Sequence, residues 1–378
     1  MDSGSLLNWK KRYAAAGAFP QPAIPRIGYW MSAKKLKKMD MNVFSRVCRN
    51  GGFELVQIDF KRPLDQQGPF DIFLHKLTDI IVKAEQDNMD DSQEVELFRV
   101  LESYMKSHPE TIVIDPIDNL KKLLLRQRQY HLIATSEACI NHEMVFTPNF
   151  IELYSTDPES MLEDLRRAEV SFPIVCKAQQ AHGSSDAHRM MIIFNAAGLQ
   201  SIKVPCVAQS FVNHDAVLYK VFVIADNFYV VRRPSFENFH STDLPPVVFD
   251  SQNISSASWL YEDPSTKFQS SISPTSVSAK PVFELDSKIV QRIVRGVRKQ
   301  FGLSLIGIDL IVEKASGRYA IIDVNAFPSY DGVPNFFQHL LGHIQSLIRQ
   351  RDSQKMLTNG HAVMIKPSGL KMDPEVLS

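Results

Sequence analysis

The residues best suited to chemistry are two aspartates and an asparagine towards the C-terminal end of the chain. Asp309 lies in an apolar run at 305–312, and Asp323 and Asn325 lie in or just after a second run at 319–324. Side chains alternate along a strand, so Asn325 faces the same side as Asp323. Two carboxylates and an amide oxygen suit Mg²⁺, a hard cation that leaves coordination positions open for phosphate oxygens. The spacing therefore predicts a magnesium site on a β-hairpin.

The turn between the two runs decides whether Asp309 joins the other ligands. A three-residue loop at 315–317, with its last glycine in the left-handed conformation, sets Asp309 opposite Asp323. A two-residue loop would shift the register by one residue and send Asp309 to the other face. A plainer alternative places both aspartates on the solvent face of an amphipathic hairpin. Because both runs are nearly continuous in apolar residues, we favour the metal site.

A lysine at the end of another apolar run predicts a contact with phosphate. In the segment 172–183 a strand ends at Lys177, and a polar loop with glycine, serines, His182 and His188 follows. A lysine beside such a loop can clamp phosphates, and loop amides can add donors. The alternative is a strand-end charge before an ordinary turn. The chain has no GxxxxGK[ST], no GxGxxG and no HRD with DFG, which excludes a P-loop and a protein-kinase layout.

The elements that must position these residues alternate between strands and helices. Strand patterns at 26–31, 53–58, 71–74 and 111–114 enclose helical patterns at 43–49 and 95–106. This order predicts a small α/β unit with a largely parallel sheet. Further helices are predicted at 119–136, 157–168 and 335–348. The strands between 172 and 232 are joined by short turns, which favours antiparallel pairing.

Length, charge and cysteine content limit the class of protein. With 378 residues, 44% of them hydrophobic, the chain can form two or three domains. The 42 basic residues balance 42 acidic residues, which argues against a nucleic-acid partner. Four dispersed cysteines and no signal peptide predict reduced thiols and a cytoplasmic location. No apolar run approaches the ~20 residues that cross a bilayer, so no membrane partner is expected.

Three segments differ in composition from the predicted domains. Residues 1–25 read as a loose leader. Residues 241–278 contain 11 serines and four prolines, a composition typical of a lid or tether inserted into a domain. Residues 351–378 lack the apolar period of the preceding helix and are predicted to be a tail.

Several short runs resemble one known family. The strand-end lysine, the following loop, the QSFV run and the D…DxN hairpin together resemble the ATP-grasp fold. Five runs are similar to the inositol-tetrakisphosphate 1-kinases, also called inositol 1,3,4-trisphosphate 5/6-kinases: HKLTD at 75–79, HPETIV at 108–113, VLYKVFV at 217–223, RRPS at 232–235 and IDVNAFP at 322–328. The resemblance covers roughly residues 26–350 in matching order.

The resemblance implies a mixed α/β and α+β architecture of three parts. A small N-terminal α/β domain at 26–116 is expected to bind inositol phosphate. Two antiparallel ATP-grasp subdomains, at 117–212 and 213–350, are expected to hold ATP between them. The serine-rich segment 241–278 then falls inside the second of these subdomains, as a lid.

The resemblance also implies roles for matched residues. It assigns Mg²⁺, with two ions expected, to Asp309, Asp323 and Asn325. It assigns the nucleotide to Arg126, Lys177, Gln209, Ser210, Phe211, Val212, Lys220, Ser235, Ser251 and Ser255. It assigns the inositol phosphate to Lys35, Lys76, His182, His188, Lys220, Asn325 and Ser329. Lys220 and a protonated loop histidine, His182 or His188, are the expected catalytic groups, because in-line phosphoryl transfer needs mainly alignment and charge balance.

Each of the cations has a plainer alternative. Lys35 belongs to the run at 34–38, which is typical of a solvated face, and the alternative for Lys220 is that it extends from an apolar strand to reach water. Lys76 has the alternative of an ordinary strand-end charge. Function accounts for them together, because a polyol with several phosphates needs several cations around one small ligand.

The sequence departs from the family pattern at two places. Ser329 stands where the family usually has glycine, which leaves the orientation of the inositol ring open. The loop after Gly183 is one residue longer than in relatives, so either His182 or His188 is the residue that meets the substrate.

The expected activity is phosphorylation by ATP of inositol 1,3,4-trisphosphate at the 5- or 6-hydroxyl and of inositol 3,4,5,6-tetrakisphosphate at the 1-hydroxyl. Reverse transfer of a phosphoryl group from an inositol phosphate to ADP is a further possible activity. One alternative is an ATP-grasp carboxylate-amine ligase, which shares the metal hairpin but does not need Lys35 and Lys76. Another is a non-catalytic inositol phosphate binding module. A monomer is expected, with inositol phosphates and ATP or ADP as its only partners.

Overall fold

A four-stranded parallel sheet forms the N-terminal part of the computed structural model, which describes residues 24–86, 93–140, 142–183, 185–239, 242–254 and 284–361. Its elements are β1 (Arg26–Met31), α1 (Ala33–Leu36), α2 (Met41–Asn50), β2 (Glu54–Gln57), β3 (Ile72–Lys76), α3 (Thr78–Gln86), α4 (Gln93–Ser107) and β4 (Ile112–Ile114). The strands pair in the order β2-β1-β3-β4, as the predicted parallel sheet requires. Parallel strands end at one edge of a sheet, so Lys35 after β1 and Lys76 at the end of β3 emerge on the same side.

Short helices follow this sheet, where the sequence pattern predicts one helix at 119–136. They are α5 (Ile117–Leu120), α6 (Arg126–Ala134) and α7 (Glu137–Ile140), with a 3₁₀ turn at Lys121–Leu123. Leu125 is extended and bridges to Gln180, and the Arg126 N–H donates to the Gln179 carbonyl at 2.9 Å. This long-range pairing interrupts the helix and starts α6 at Arg126.

Two mostly antiparallel five-stranded sheets make up the rest of the fold. Their elements are β5 (Val145–Phe146), β6 (Phe150–Leu153), α8 (Pro158–Arg167), β7 (Ile174–Ala178), β8 (Arg189–Ile193), β9 (Cys206–Ser210), β10 (Val217–Ile224), β11 (Asn227–Pro234), β12 (Val247–Asp250), α9 (Ser251–Ile254), α10 (Ser287–Phe301), β13 (Leu305–Val312), β14 (Tyr319–Ala326) and α11 (Phe336–His361). The central sheet has the order β12-β8-β7-β9-β6, and the C-terminal sheet has the order β11-β10-β13-β14-β5. Each sheet therefore takes one edge strand from the other part of the chain.

Helix α10 shows how the sequence builds the core behind the C-terminal sheet. The Asp286 side chain caps it by accepting from the Lys288 and Ile289 N–H groups. Its buried face repeats at helical spacing: Val290, Ile293, Val294, Val297 and Phe301. Gly302 ends the helix in the left-handed conformation, with φ of 67°. The helix thereby presents one apolar face to the sheet and its polar face to solvent.

Strands β13 and β14 form the metal hairpin, and their register confirms that Asp309 lies opposite Asp323. The predicted turn is wrong, however. The Glu313 N–H donates to the Arg318 carbonyl, so residues 314–317 form the loop, and this register alone would set Asp309 opposite Ile322. A β-bulge at Ile322 shifts the register by one residue and returns Asp323 to Asp309.

The C-terminal helix is longer than its apolar pattern predicts. Helix α11 reaches His361, whereas the sequence predicts its end near residue 348 and a tail from 351. The Arg351 guanidinium donates to Asp71 Oδ1 at 2.9 Å and ties this part of the helix to the N-terminal sheet. Beyond it, Met356 and Leu357 are exposed, so the last turns do not pack against the core.

Parts of the predicted leader, insertion and tail lie outside the described residues. In the predicted insertion, 242–254 is described and includes β12 and α9, whereas 255–278 is not. The leader up to residue 23 and residues 362–378 are likewise outside. Among the helices of the described ranges, none combines the length and apolarity that a membrane span needs.

Candidate active site

One cleft with a volume of about 730 Å³ lies where the three sheets approach one another. Lys76 reaches it from the N-terminal sheet, Lys177 from the central sheet and Lys220 from the C-terminal sheet. The cleft is lined by every predicted site residue that the structure describes: Lys35, Lys76, Arg126, Lys177, His182, His188, Gln209, Ser210, Phe211, Val212, Lys220, Ser235, Ser251, Asp309, Asp323, Asn325 and Ser329. Ser255, the remaining predicted contact, lies outside the described residues.

The three predicted metal ligands form a tight group on one face of the metal hairpin. Asn325 Nδ2 lies 3.5 Å from Asp309 Oδ2 and 3.4 Å from Asp323 Oδ2. The side chains of Asp309 and Asp323 are only 14% and 17% exposed, so water screens their charges poorly. The β-bulge at Ile322 is what keeps both carboxylates on this face.

This group fits a hard divalent cation. Asp309 Oδ1 is buried and accepts no well-directed hydrogen bond, although Lys220 Nζ lies 3.0 Å away. Burial raises the pKa of Asp309, Lys220 opposes that change and Asp323 adds to it. No three His, Cys, Asp or Glu side chains of the described residues are grouped to hold a metal ion. A cation at the hairpin would therefore take the two carboxylates. Asn325, whose Nδ2 now faces them, would turn its amide oxygen inward as a third ligand, and phosphate oxygens would complete the shell, as Mg²⁺ requires.

Strand pairing places Lys220 over the metal group. Lys220 of β10 lies opposite Asp309 of β13 in the antiparallel register. Gly307, two residues before Asp309, keeps this face open, since a Cβ there would be 3.2 Å from Pro328 Cγ and 3.7 Å from Lys220 Cε. The ammonium group of Lys220 thus lies at the junction between the hairpin and the residues that follow it.

Lys177 is held in a buried polar network at the end of β7. Its Nζ donates to the Tyr130 hydroxyl at 2.7 Å, to Gln209 Oε1 at 2.9 Å and to the Ile322 carbonyl at 3.3 Å. Gln209 Nε2 is buried and has no hydrogen-bond partner among the described residues, which leaves a donor in the wall of the cleft. The network fixes a cation next to the bulge of the metal hairpin.

Arg126 is a second fixed cation beside the metal group. Its side chain is 2% exposed, and it donates to the Ala178 carbonyl at 3.0 Å and to the Ala187 carbonyl at 2.8 Å. A third nitrogen, Nη1, lies 3.4 Å from Asp323 Oδ1. Three of its nitrogens are thus committed to the strand end, the loop and the hairpin, so the guanidinium plane cannot rotate freely. The start of α6 at Arg126, just after the bridge between Leu125 and Gln180, is what places it there.

The other wall of the cleft suits a purine ring. Phe211 and Val212, two of the predicted nucleotide contacts, pack against apolar side chains in or beside the two larger sheets: Val175, Met190, Leu218, Phe236, Phe249 and Ile311. His214 Nδ1 donates to the Val212 carbonyl at 2.6 Å, so its Nε2 accepts from the Ser235 hydroxyl at 2.7 Å. An apolar slot bordered by fixed polar groups is typical of a cofactor pocket.

Lys35 and Lys76 form the basic end of the cleft and point at the backbone after Asn325. Lys35 Nζ donates to the Phe327 carbonyl at 3.0 Å and to the Pro328 carbonyl at 2.5 Å, while Lys76 Nζ donates to the Ala326 carbonyl. Burial and the charge of Lys76 lower the pKa of Lys35 to about 6, and burial lowers the pKa of Lys76 to about 8. In its protonated form each lysine has three donors and keeps at least one for a ligand.

The two loop histidines line the cleft, but their environment opposes the predicted protonated state. His182 is buried, its Nε2 has no partner among the described residues, and burial together with nearby Lys76 and Arg126 lowers its pKa well below the usual range. Burial also lowers the pKa of His188. Both rings are therefore neutral near pH 7. The expectation of a protonated histidine is corrected to a neutral hydrogen-bonding one, because desolvation disfavours the imidazolium.

The cleft also contains polar residues that the sequence analysis did not single out. They are Ser32, Lys34, Lys38, Asp79, His214, Arg233 and Asp331. Asp79 Oδ1 accepts from the Gly183 N–H at 3.3 Å and so ties the histidine loop to α3. Arg233 lies within the quoted RRPS run, which was the available signal. Asp79 likewise ends the HKLTD run, and Lys34 and Lys38 belong to the basic run at 34–38. Ser32, His214 and Asp331 carry no local signal, because only the tertiary fold brings them to the cleft.

Comparisons with known proteins agree with this geometry. The family model for the inositol 1,3,4-trisphosphate 5/6-kinase ATP-grasp domain matches residues 139–346, and the pre-ATP-grasp domain of the same family matches residues 26–120. The chain is 41% identical over 330 residues to an inositol-tetrakisphosphate 1-kinase of Xenopus laevis, covering 86% of this chain and 80% of that relative. It is 40% identical over 326 residues to an inositol-tetrakisphosphate 1-kinase of Danio rerio, covering 86% and 79%.

Solved structures are similar in fold. The D-cycloserine synthetase DcsG matches with a TM-score of 0.54 at 10% identity, over 85% of this chain and 99% of that one. An ATP-grasp protein with a RimK domain from Sphaerobacter thermophilus matches with a TM-score of 0.50 at 10% identity, over the same shares. These likenesses concern the fold alone, which is the predicted ATP-grasp architecture of α/β and α+β parts. Together with the two matched domains, they lead to one conclusion: the chain belongs to the inositol 1,3,4-trisphosphate 5/6-kinase family.

Proposed function

We propose that this protein is an ATP-dependent inositol polyphosphate kinase. Its substrates are inositol 1,3,4-trisphosphate, phosphorylated at the 5- or 6-hydroxyl, and inositol 3,4,5,6-tetrakisphosphate, phosphorylated at the 1-hydroxyl. The relatives named inositol-tetrakisphosphate 1-kinase support the second reaction, and the matched family description supports the first.

One observation carries the proposal more than any other. A single cleft joins a two-carboxylate group, Asp309 and Asp323, to a basic end formed by Lys35 and Lys76. The basic end lies next to Asn325 in space, because both lysines contact carbonyls of residues 326–328, which follow Asn325 in the chain. A polyanionic acceptor would thus lie next to the terminal phosphate of a nucleotide bound at the hairpin. A carboxylate-amine ligase has no need of this second set of cations.

Each residue near the metal group then has a defined role. Mg²⁺, in our proposal two ions, would be held by Asp309, Asp323 and Asn325. When bound, Mg²⁺ would neutralise the phosphates and orient the terminal one. Arg126 is fixed by several hydrogen bonds and keeps further N–H donors for the nucleotide phosphates. Lys177 already uses its three donors, so it exchanges one of these hydrogen bonds when it contacts a phosphate. Lys220, 3.0 Å from Asp309, balances charge on the phosphoryl group in transit.

The acceptor is positioned from the other end of the cleft. Lys35 and Lys76 bind its phosphates, and neutral His182 or His188 hydrogen-bonds to it. Fixing the ring in this way aligns one hydroxyl with the terminal phosphate, and alignment is the main requirement of in-line transfer. Since none of these groups is consumed, the same arrangement serves transfer from a phosphorylated product back to ADP.

We also propose the organisation of the chain as a cytoplasmic monomer. The inositol phosphate domain spans 26–116, the two ATP-grasp subdomains span 117–212 and 213–350, and 241–278 acts as a lid over the nucleotide. Ser251 lines the cleft from the described start of this segment, which supports the lid. All four cysteines are free thiols, which supports a reducing compartment.

The direct test is a substrate panel with isomer-resolved products. The protein, ATP and Mg²⁺ are incubated with inositol trisphosphate and tetrakisphosphate isomers, and products are separated by anion-exchange chromatography. We expect new tetrakis- and pentakisphosphates formed in step with ADP. ADP release that requires amino acids would instead identify a ligase, and tight binding without turnover would identify a binding module.

A further inference from the structure

The segment after the metal hairpin holds a carboxylate rigidly at the basic end of the cleft. Tyr330 is buried, its hydroxyl donates to the Val223 carbonyl at 2.8 Å, and its ring stacks on Phe336 with centroids 4.3 Å apart. The buried Arg233 donates to the main-chain carbonyl of Asp331 at 3.1 Å. The backbone on both sides of the Asp331 carboxylate is thus fixed, and its position does not depend on a mobile loop tip.

The Asp331 side chain is oriented by Ser329. Ser329 Oγ donates its proton to Asp331 Oδ2 at 2.6 Å, and both residues line the cleft. Within the described ranges, no Lys, Arg or His forms an ion pair with this carboxylate. Its charge is nevertheless felt by Lys35, whose pKa it raises against the larger lowering effect of burial. The carboxylate therefore lies among the cations that are to hold the inositol phosphates.

The hydrogen-bonding capacity of this pair selects its ligand. The Ser329 proton is already donated, so Oγ offers the cleft only lone pairs, and an ionised carboxylate also only accepts. A phosphate group is likewise rich in acceptors and negatively charged, so it is repelled by Asp331 and finds no donor on either side chain. A free hydroxyl group, in contrast, supplies the donor that both side chains lack.

We propose that Ser329 and Asp331 form a hydroxyl-recognition site that requires one unphosphorylated position on the inositol ring and so limits how many phosphates a substrate carries. The inference rests on the proposed kinase function and adds a specificity determinant to it. Lys35, Lys76 and Lys220 attract any inositol polyphosphate, whereas the Ser329 and Asp331 pair discriminates among them. The substitution Asp331→Asn removes the charge and adds a donor without changing the size of the side chain.

The test compares ligand binding by titration calorimetry, which needs no turnover. Inositol hexakisphosphate has a phosphate at every ring position, so in any orientation it places a phosphate next to Asp331. Inositol 1,3,4-trisphosphate has free hydroxyls and can place one of them there instead. We expect Asp331→Asn to improve the affinity for the hexakisphosphate, relative to that for the trisphosphate, by about five-fold, the effect of one unit charge at close range in water. Ser329→Ala should change the ratio in the same direction by less. Asp243→Asn, the same charge change at an exposed residue outside the cleft lining, should leave it unchanged.

The outcomes separate this inference from the proposed function. An affinity ratio that stays the same in Asp331→Asn and in the wild-type protein would overturn the hydroxyl-recognition site. An equal gain for both ligands would also overturn it, since that is a general charge effect. Failure of the wild-type protein to phosphorylate any isomer in the substrate panel would contradict the kinase function, while the binding ratio would still decide the role of Asp331.

Discussion

Lys35 and Phe327 are joined by two contacts that connect the N-terminal sheet to the metal hairpin. Lys35 Nζ donates to the Phe327 carbonyl at 3.0 Å and lies 4.2 Å from the centroid of the Phe327 ring. Phe327 follows Asn325 by two residues, so the lysine proposed to bind substrate also holds the backbone next to a proposed metal ligand. The two ends of the cleft are thereby built from the same short segment.

Lys35 should be needed to bind the inositol phosphate but not ATP. Lys35→Met keeps the length of the side chain and removes its charge, so a charge-assisted hydrogen bond to the inositol phosphate is lost. We expect KM for inositol 1,3,4-trisphosphate to rise at least about ten-fold, with KM for ATP changed less than about two-fold. Lys37→Met, in the same run but exposed and outside the cleft lining, is the matched control. Equal effects on both substrates would contradict a role at the inositol end.

Substrate binding should take up protons. Burial and the charges of Lys76 and Lys38 lower the pKa of Lys35 to about 6, although Asp331 raises it. Burial lowers the pKa of Lys76 to about 8, although Asp79 raises it. A polyanion favours the charged form and raises both values. Near pH 7.5 Lys35 is neutral before binding, so roughly one proton should enter, and affinity should fall as pH rises from about 6 to about 8.

Calorimetry in buffers of different ionisation enthalpy measures this uptake. In Lys35→Met most of it should disappear, because Lys76 is already largely protonated near pH 7.5. Proton release on binding, or an uptake that Lys35→Met leaves intact, would show that another group is linked to the ligand.

His214 should affect ATP and not the inositol phosphate. It connects the Val212 carbonyl to the Ser235 hydroxyl, so His214→Gln should loosen the nucleotide wall and raise KM for ATP by about five-fold, the loss of roughly one hydrogen bond. Burial lowers the pKa of His214 to about 4, so this defect should be constant from about pH 5.5 to 8. His131→Gln, at an exposed position of α6, is the control. A KM change confined to the inositol phosphate would disprove the assignment.

Substitution of two glycines by alanine should change the free energy of unfolding in opposite directions. Gly317 in the hairpin loop has φ of 72° and open space where a Cβ would lie, so Gly317→Ala should lower the free energy of unfolding by about 1 kcal/mol through backbone strain alone. Gly342 lies within α11, and a Cβ there would meet no neighbouring atoms, so Gly342→Ala should raise the free energy of unfolding by about 0.5–1 kcal/mol. Denaturant unfolding measures both changes, and neither variant should alter kcat. A destabilised Gly342→Ala would mean that an unseen contact matters there.

Local patterns predicted that Asp309 and Asp323 face each other on a hairpin, but not the reason for their alignment. The apolar runs around Asp309 and Asp323 identify both strands, and Gly317 adopts the expected left-handed conformation. The loop is nevertheless longer than predicted, and the ligands align only because of a bulge at Ile322. A bulge depends on the packing of neighbouring strands, so the sequence of the hairpin alone does not reveal it.

Residues whose roles depend on distant partners were the hardest to predict. The pattern at 119–136 reads as one helix, yet pairing of Leu125 with Gln180 breaks it and brings Arg126 into the cleft. The neutral state of His182 follows from burial beside Lys76 and Arg126, which come from other parts of the chain. The resemblance to a family supplied residue positions, while ionisation and hydrogen-bond direction required the fold.

We propose that the terminal phosphate of ATP passes to an inositol phosphate beside Asp323 and its neighbours. The most direct measurement incubates wild-type protein and Asp323→Asn with ATP labelled in the terminal phosphate and with inositol 1,3,4-trisphosphate, and follows the label by chromatography. We predict that the label enters inositol tetrakisphosphate with wild-type protein, and that Asp323→Asn lowers the rate by about 1,000-fold or more, as expected when charge stabilisation of the transition state is lost. Label recovered only as inorganic phosphate, or transfer that is undiminished in Asp323→Asn, would contradict the account.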